Sequence, residues 1–241
     1  MSNKSIILTH QGWTDIVNSI PLINYYSKIR ENVIFVVRDD ALEMMNYYTK
    51  HLDNVEVHGM DKTFLNGSGE YVVRNFPNCE YLFFGGHDTL STNPDRRHKF
   101  HNSEGIECFV QRFYKPYGLD YSIRVNEFEI SRDMNLENEL YEKFVSEYGE
   151  NYTLNHKVGG HVEGCKSVEL DGISNRFFDV IKIMENAKEM YLLDSVWAAI
   201  VYMLDAKYRL FKDKKIFVKC ERGYIPMFTE PIKLDNWTVT Y

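Results

Sequence analysis

Four short stretches bring together side chains that can do chemistry. In the first, His10-Gln11-Gly12-Trp13-Thr14-Asp15 follows the apolar run SIILT and precedes a helical pattern. Gly12 allows a tight turn, and Thr14 or Asp15 can cap the first N–H groups of the helix. Asp15 there is also a carboxylate able to take a proton, and Trp13 offers a ring on which a flat ligand face can stack. In the second, Asp194-Ser195 stands where the run MYLL meets the apolar helical pattern VWAAIVYML. The N–H groups and dipole of a helix start favour an anion, and the Ser195 hydroxyl and the Val196 N–H add donors. The third, NHKVGGHVEG, sets His156, Lys157 and His161 around Gly159-Gly160, a flexible loop that can turn N–H groups toward an anion. A solvated His-rich loop is the equally weighted alternative. In the fourth, GGHDTL, His87 and Asp88 can bind hydroxyls or relay a proton, although hydrogen bonds within the loop are the plainer role.

These residues need elements to hold them. SIILT (5–9), VIFVV (33–37), YLFFGG (81–86), MYLL (190–193) and IFVK (216–219) are continuous rather than alternating apolar runs, as in strands covered on both faces. VEVH (55–58), YTLN (152–155) and SVEL (167–170) are shorter strand candidates. Between them lie helical patterns: Ile16, Ile20 and Ile23; Asp39 to His51; Ile106, Phe109, Val110 and Phe113; Leu136, Leu140, Phe144 and Tyr148; Phe177, Ile181 and Met184; and Ser195 to Leu204. This alternation predicts an α/β fold: two Rossmann-like parallel-sheet halves facing a cleft, residues 1–120 and 121–241, joined through an aperiodic segment at 116–135. Ligands of such sheets sit at the carboxyl ends of strands, where all four stretches fall. A helix running on from Thr14 would carry Pro21 in its interior at a cost of about 3 kcal/mol, so a kink or a restart near Ser19 is expected.

Composition narrows the partners. A hydrophobic content of 44% with 26% charged residues is that of an ordinary globular chain. A net charge of −7 argues against nucleic acid or an anionic membrane surface. The start, MSNKSIILTH, lacks the apolar core of a signal peptide, and no stretch approaches the roughly 20 apolar residues of a membrane span. Cys79, Cys108, Cys165 and Cys220 form no CxxC pair, so reduced thiols and a cytoplasmic location are expected. Asp39-Asp40 reads as the acidic first turn of a helix, and no His–carboxylate cluster stands out, so no metal or other cofactor is expected. Arg96, Arg97 and Lys99 read as a solvated face, while Arg124 and Arg132 admit either a solvated or an anion-binding role. Of the aromatic residues, 15% of the chain, only Trp13 is placed by its loop where stacking is useful.

A strand followed by Gly12, Asp15 and, six residues later, Pro21 resembles the opening of GT-B glycosyltransferases of the heptosyltransferase-like kind. In that family the Gly and Asp are adjacent; here Trp13 and Thr14 stand between them. The stretch 189–204, with Asp194-Ser195 at a helix start, is similar to the family's donor-site element, with Val196 and Ala199 in place of its Gly and His. The resemblance implies a nucleotide-sugar donor held at Ser195, Val196 and the 156–161 loop, including Lys157, Gly160 and His161. It implies Asp194 as a helix cap or ribose acceptor, and a carbohydrate acceptor near Gly12, Trp13, Thr14, His87 and Asp88. It further implies a metal-independent, inverting transfer with Asp15 as general base. A nucleotide-sugar epimerase and a non-catalytic carbohydrate- or nucleotide-binding protein remain alternatives.

Overall fold

The computed structural model describes residues 4–9, 11–84, 109–221 and 234–240. His87, Asp88 and the basic run 95–101 lie outside the described residues. The chain divides into two compact units, Met1–Ser131 and Arg132–Tyr241.

The first unit is built on a parallel sheet of β1 (Lys4–Leu8), β2 (Asn32–Arg38), β3 (Val55–Met60) and β4 (Glu80–Phe83), in the order β3-β2-β1-β4. Ile6 lies opposite Ile34 on one side and Tyr81 on the other. Ile6, Leu8, Ile34, Val36, Met60 and Val72 form one buried cluster, and Ile7, Val33, Phe35 and Val37, which point to the other face, are buried too, the reason the central runs are apolar without alternation. Two helices connect β1 and β2, α1 (Trp13–Asn18) and α2 (Ile20–Ile29). Pro21 sits in the first turn of α2, where its missing N–H costs no helix bond. The break at Ser19 is held by its N–H and its hydroxyl, both donating to the Asp15 carbonyl, the hydroxyl at 2.7 Å. The helix restarts rather than kinks.

Asp39 and Asp40 open α3 (Asp39–Thr49), and α4 (Ser68–Asn75), not anticipated from the sequence, precedes β4. The segment after β4 is described again from a 3-10 turn, Phe109–Phe113, where a helical pattern was expected. It then forms α5 (Ile123–Asn126), which packs on α2. Asn24 of α2 donates to the carbonyls of Glu127 and Glu129, each at 2.8 Å, and the buried Arg124 donates to Asn18 Oδ1 at 3.1 Å. These bonds carry residues 121–131 into the first unit, so the boundary falls later than the expected 120.

In the second unit α6 (Met134–Tyr148) is followed by β5 (Tyr152–His156), β6 (Lys166–Glu169), α7 (Ile181–Asn186), β7 (Glu189–Leu193), α8 (Val196–Tyr208), β8 (Lys215–Lys219) and β9 (Trp237–Thr240). All five strands are parallel, in the order β6-β5-β7-β8-β9. Relative to chain order this is 2-1-3-4-5, which reverses direction between β5 and β7. The residues of α8 from Trp197 to Asp205 are all buried, which explains its apolar sequence. Its carboxyl-terminal end is pinned by Asp205, fully buried, which accepts from the Phe211 N–H (3.0 Å), Asn236 Nδ2 (3.1 Å) and Trp237 Nε1 (2.9 Å). One carboxylate thus joins α8 to the edge strand β9.

Removing that carboxylate takes their acceptor from the buried Phe211 N–H and the part-buried Trp237 indole, while Asn236 keeps the Phe211 and Lys214 carbonyls. Asp205→Ala is expected to destabilise the second unit by about 2–4 kcal/mol, read as a lower urea midpoint with unchanged slope; an unchanged midpoint would remove Asp205 from the account of how α8 is held.

Candidate functional site at the carboxyl edge of the second sheet

His156 ends β5, and Ser195 follows β7 as the residue that caps the amino end of α8. The two strands are neighbours, and they flank the point where the strand order reverses. Ser195 Oγ and His156 Nδ1 are 2.9 Å apart. The Ser195 side chain makes no capping bond, because it turns to the imidazole instead. The first-turn N–H groups of α8 are therefore not covered by their own cap residue. A 13-residue helix with such a start presents partial positive charge at the sheet edge.

The imidazole is 4% exposed, and its other nitrogen, Nε2, faces Asp171 Oδ2 at 3.6 Å. Burial holds the His156 pKa below the ordinary value of 6.5, and the Asp171 carboxylate opposes that shift. Asp171 is a hub that sequence reading passes over. Its Oδ1 accepts from the Trp197 indole at 2.8 Å, and Lys157 Nζ lies 3.7 Å from its Oδ2. Trp197 is itself set by an edge-to-face contact with Phe177, ring centres 5.1 Å apart.

The 157–165 connection from β5 to β6 is short for a parallel crossover and contains no helix. Lys157, with φ of +59°, turns the chain sharply. Its N–H donates to Glu169 Oε1 at 3.0 Å. The Gly160 N–H donates to Asn155 Oδ1 at 2.7 Å. A Cβ on Gly160 would fall 2.0 Å from the Tyr191 ring, itself stacked on Phe217 with centres 4.8 Å apart, so the loop can lie here only with glycine. The Gly160 N–H, one of the loop donors expected to face an anion, is thus already engaged within the unit, as is that of Lys157. His161 is exposed, and among the described residues no hydrogen bond or ion pair joins it to the His156–Ser195 pair.

Asp194 precedes the cap position of α8, which Ser195 holds. Its N–H donates to the Lys219 carbonyl at 3.0 Å, and its carboxylate is 3% exposed, beneath the edge beside Cys220. Burial, with the charge of Asp194 second, pushes the Cys220 thiol up to about 11, which leaves it an inert packing group. Beyond the edge, α6 and the 169–173 turn enclose an open cavity of about 240 Å³, lined by Phe144, Tyr148, Lys143, Glu169, Asp171 and Ile173.

In the first unit the order reverses between β1 and β4, and the loop after β1 carries Gly12 to Asp15. Gly12, not Thr14 or Asp15, takes the cap position of α1, and Asp15 lies in the first turn at 6% exposed. Gln11 fixes the loop by donating to the carbonyls of Thr9 and Val36 at 3.0 and 3.1 Å. Thr14 holds Asn18 through its carbonyl at 2.8 Å. Trp13 is half-buried, and the Arg38 guanidinium covers one of its faces at 4.9 Å, leaving at most the other for a ligand.

The chain matches no family model and no curated protein sequence. Among solved structures it is similar to the glycosyl transferase family 9 protein from Veillonella parvula DSM 2008, with a TM-score of 0.53 and 11% identity over 100% of this chain and 87% of that one. It is also similar to the E. coli ADP-heptose lps heptosyltransferase II, with a TM-score of 0.55 and 8% identity over 98% of this chain and 90% of that one. The chain thus has the heptosyltransferase-like GT-B fold, with two parallel α/β sheets. Among the described residues, no helix is long and apolar enough to cross a membrane.

The lowered pKa of His156 has a consequence for stability. In the pH range below about 6.5 and above its native pKa, the unfolded chain binds a proton that the native chain does not. Stability from this group is therefore complete above about 6.5 and is lost as pH falls through the native pKa, with a slope of at most about 1.4 kcal/mol per pH unit. Urea midpoints measured between pH 7.5 and 5 are expected to show this fall and His156→Gln to flatten it; equal slopes in both proteins would contradict the assignment.

Proposed function

We propose that the chain is a glycosyltransferase that moves a sugar from a nucleotide-sugar donor to a carbohydrate acceptor. The observation that carries this reading is the His156–Ser195 pair at the start of α8, at the point of strand reversal in the second sheet. Support also comes from the fold, which the chain shares with solved glycosyltransferases. One of those proteins is named for ADP-heptose, an anionic donor of the class proposed here.

In this reading the donor diphosphate lies against the start of α8. The N–H groups of Val196 and its helix neighbour, with the Ser195 hydroxyl, receive its oxygens. His156 sets how Ser195 is used: with the proton on Nδ1, Ser195 accepts from the ring and its own O–H is free to donate to phosphate. Negative charge grows on the diphosphate as the bond to the anomeric carbon breaks, so donors fixed there act most strongly on the transition state. Lys157, whose side chain is 61% exposed, can swing from Asp171 toward the same charge.

Asp15 is the general base in this reading, taking the proton of the attacking acceptor hydroxyl, and the reaction inverts the anomeric centre. Its place in the first turn of α1, with its carbonyl held by Ser19 and the preceding loop held by Gln11, fixes the backbone from which the carboxylate projects. The exposed side of Trp13 is the sugar-facing surface.

Nucleoside diphosphates and sugar nucleotides screened by thermal shift are expected to raise the melting temperature of the wild-type protein, since a ligand of the native state stabilises it by about 2.7 kcal/mol at 100 times its Kd. Ser195→Ala is expected to reduce that shift. Asp15→Ala is expected to keep it while lowering transfer at least 100-fold, the lower range for a lost general base. A panel without any shift, or full turnover in Asp15→Ala, would overturn the respective half of the reading.

A further inference from the structure

We propose that the second unit carries a divalent-cation site made by His156 Nε2, Asp171 and Glu169, a site not anticipated from the sequence. The ligand-capable atoms of these three side chains lie within 4.8 Å of one another. The argument rests on what their other atoms do. His156 engages Ser195 through Nδ1, at 2.9 Å. Asp171 engages the Trp197 indole through Oδ1, at 2.8 Å. Glu169 engages the Lys157 N–H through Oε1, at 3.0 Å. Each group is thus oriented by a second partner, the arrangement by which neighbouring groups position metal ligands, and His156 Nε2 and Asp171 Oδ2 face each other.

The buried imidazole is the second, independent indication. His156 is 4% exposed, yet Nε2 hydrogen-bonds to nothing among the described residues and points at Asp171 Oδ2 from 3.6 Å, beyond hydrogen-bond reach. Ligands about 2.0–2.2 Å from a tetrahedral ion sit roughly 3.4 Å apart, close to that separation. Glu169 is exposed, so its carboxylate can close its part of the gap by a small shift that keeps the Lys157 N–H on Oε1. One neutral imidazole and two carboxylates balance a 2+ charge, and the mixed nitrogen and oxygen set suits Zn²⁺ or Mn²⁺ better than Mg²⁺. Both carboxylates also line the cavity beside α6, which leaves room for water or a ligand oxygen at the open coordination positions.

Lys157 Nζ, 3.7 Å from Asp171 Oδ2, is the resident cation that the ion displaces. Its side chain is 61% exposed and leaves without breaking a buried bond. The competition makes a prediction that a merely structural cluster does not share: deleting the lysine charge tightens metal binding. A metal on Nε2 also places the imidazole proton on Nδ1, the tautomer that leaves the Ser195 hydroxyl free to donate. The site stands without the donor reading, because the ion alone is the probe.

Calorimetry with ZnCl₂ and, separately, loss of the free Mn²⁺ resonance signal with MnCl₂ test it on the full chain. Wild-type protein is expected to bind one ion. Glu169→Gln and Asp171→Asn, both conservative and at exposed side chains, are each expected to weaken binding about tenfold or more, and Lys157→Met to strengthen it severalfold. Folding of each variant is checked by its melting temperature without metal. No stoichiometric binding, or affinities unmoved by both carboxylate variants, would overturn the proposal. So would weakening by Lys157→Met, which would make the lysine part of the site rather than its competitor.

Discussion

Everything in the second unit follows from the reversal of strand order between β5 and β7. Connections leaving two such strands run to opposite faces of the sheet, so the backbone diverges at their carboxyl ends and leaves a place that only side chains can fill. Here His156 and Ser195 fill it and bond to each other across the divergence. The bond diverts Ser195 from capping α8, and the fold retains an uncapped helix start at the cost of about 1 kcal/mol that a serine cap would contribute. The opposite end of α8 is over-determined by Asp205 and its three donors. The helix is thus anchored firmly at its carboxyl end and keeps partial positive charge, uncovered by its own cap residue, at its amino end.

The same logic, with different chemistry, governs the first unit. Its reversal lies between β1 and β4, and the loop at that place offers a carboxylate in the first turn of a short helix. Ser19 and Pro21 together resolve the conflict between continuing that helix and ending it: the hydroxyl bonds back to the Asp15 carbonyl while proline opens the next helix. The geometry around Asp15 is therefore set by local chain chemistry as much as by packing.

The central strands of the first sheet were legible because burial on both faces leaves continuous apolar runs, as in Ile6-Ile7-Leu8 and Val33 to Val37. The edge strand β9 was not, since Trp237-Thr238-Val239-Thr240 alternates and is secured by a bond from Trp237 to Asp205, 32 residues away. Asp194-Ser195 and His156 were legible as strand ends meeting polar residues, but their pairing is a tertiary fact. Asp171 left no signal at all: Asp-Gly in sequence reads as a turn, and only the approach of Trp197 and His156 makes it a hub. Gly160 signalled looseness in sequence, whereas its real constraint is the Tyr191 ring against its backbone. Glycine there permits close packing rather than movement.

The central claim is that the start of α8 holds a diphosphate, and its most direct measurement is a crystal structure of the protein grown with a nucleoside diphosphate. The account expects phosphate oxygens within about 3 Å of the Ser195 hydroxyl and the first-turn N–H groups of α8, with the His156–Ser195 bond intact. A diphosphate bound at full occupancy elsewhere on the chain, with that helix start facing only water, would contradict it.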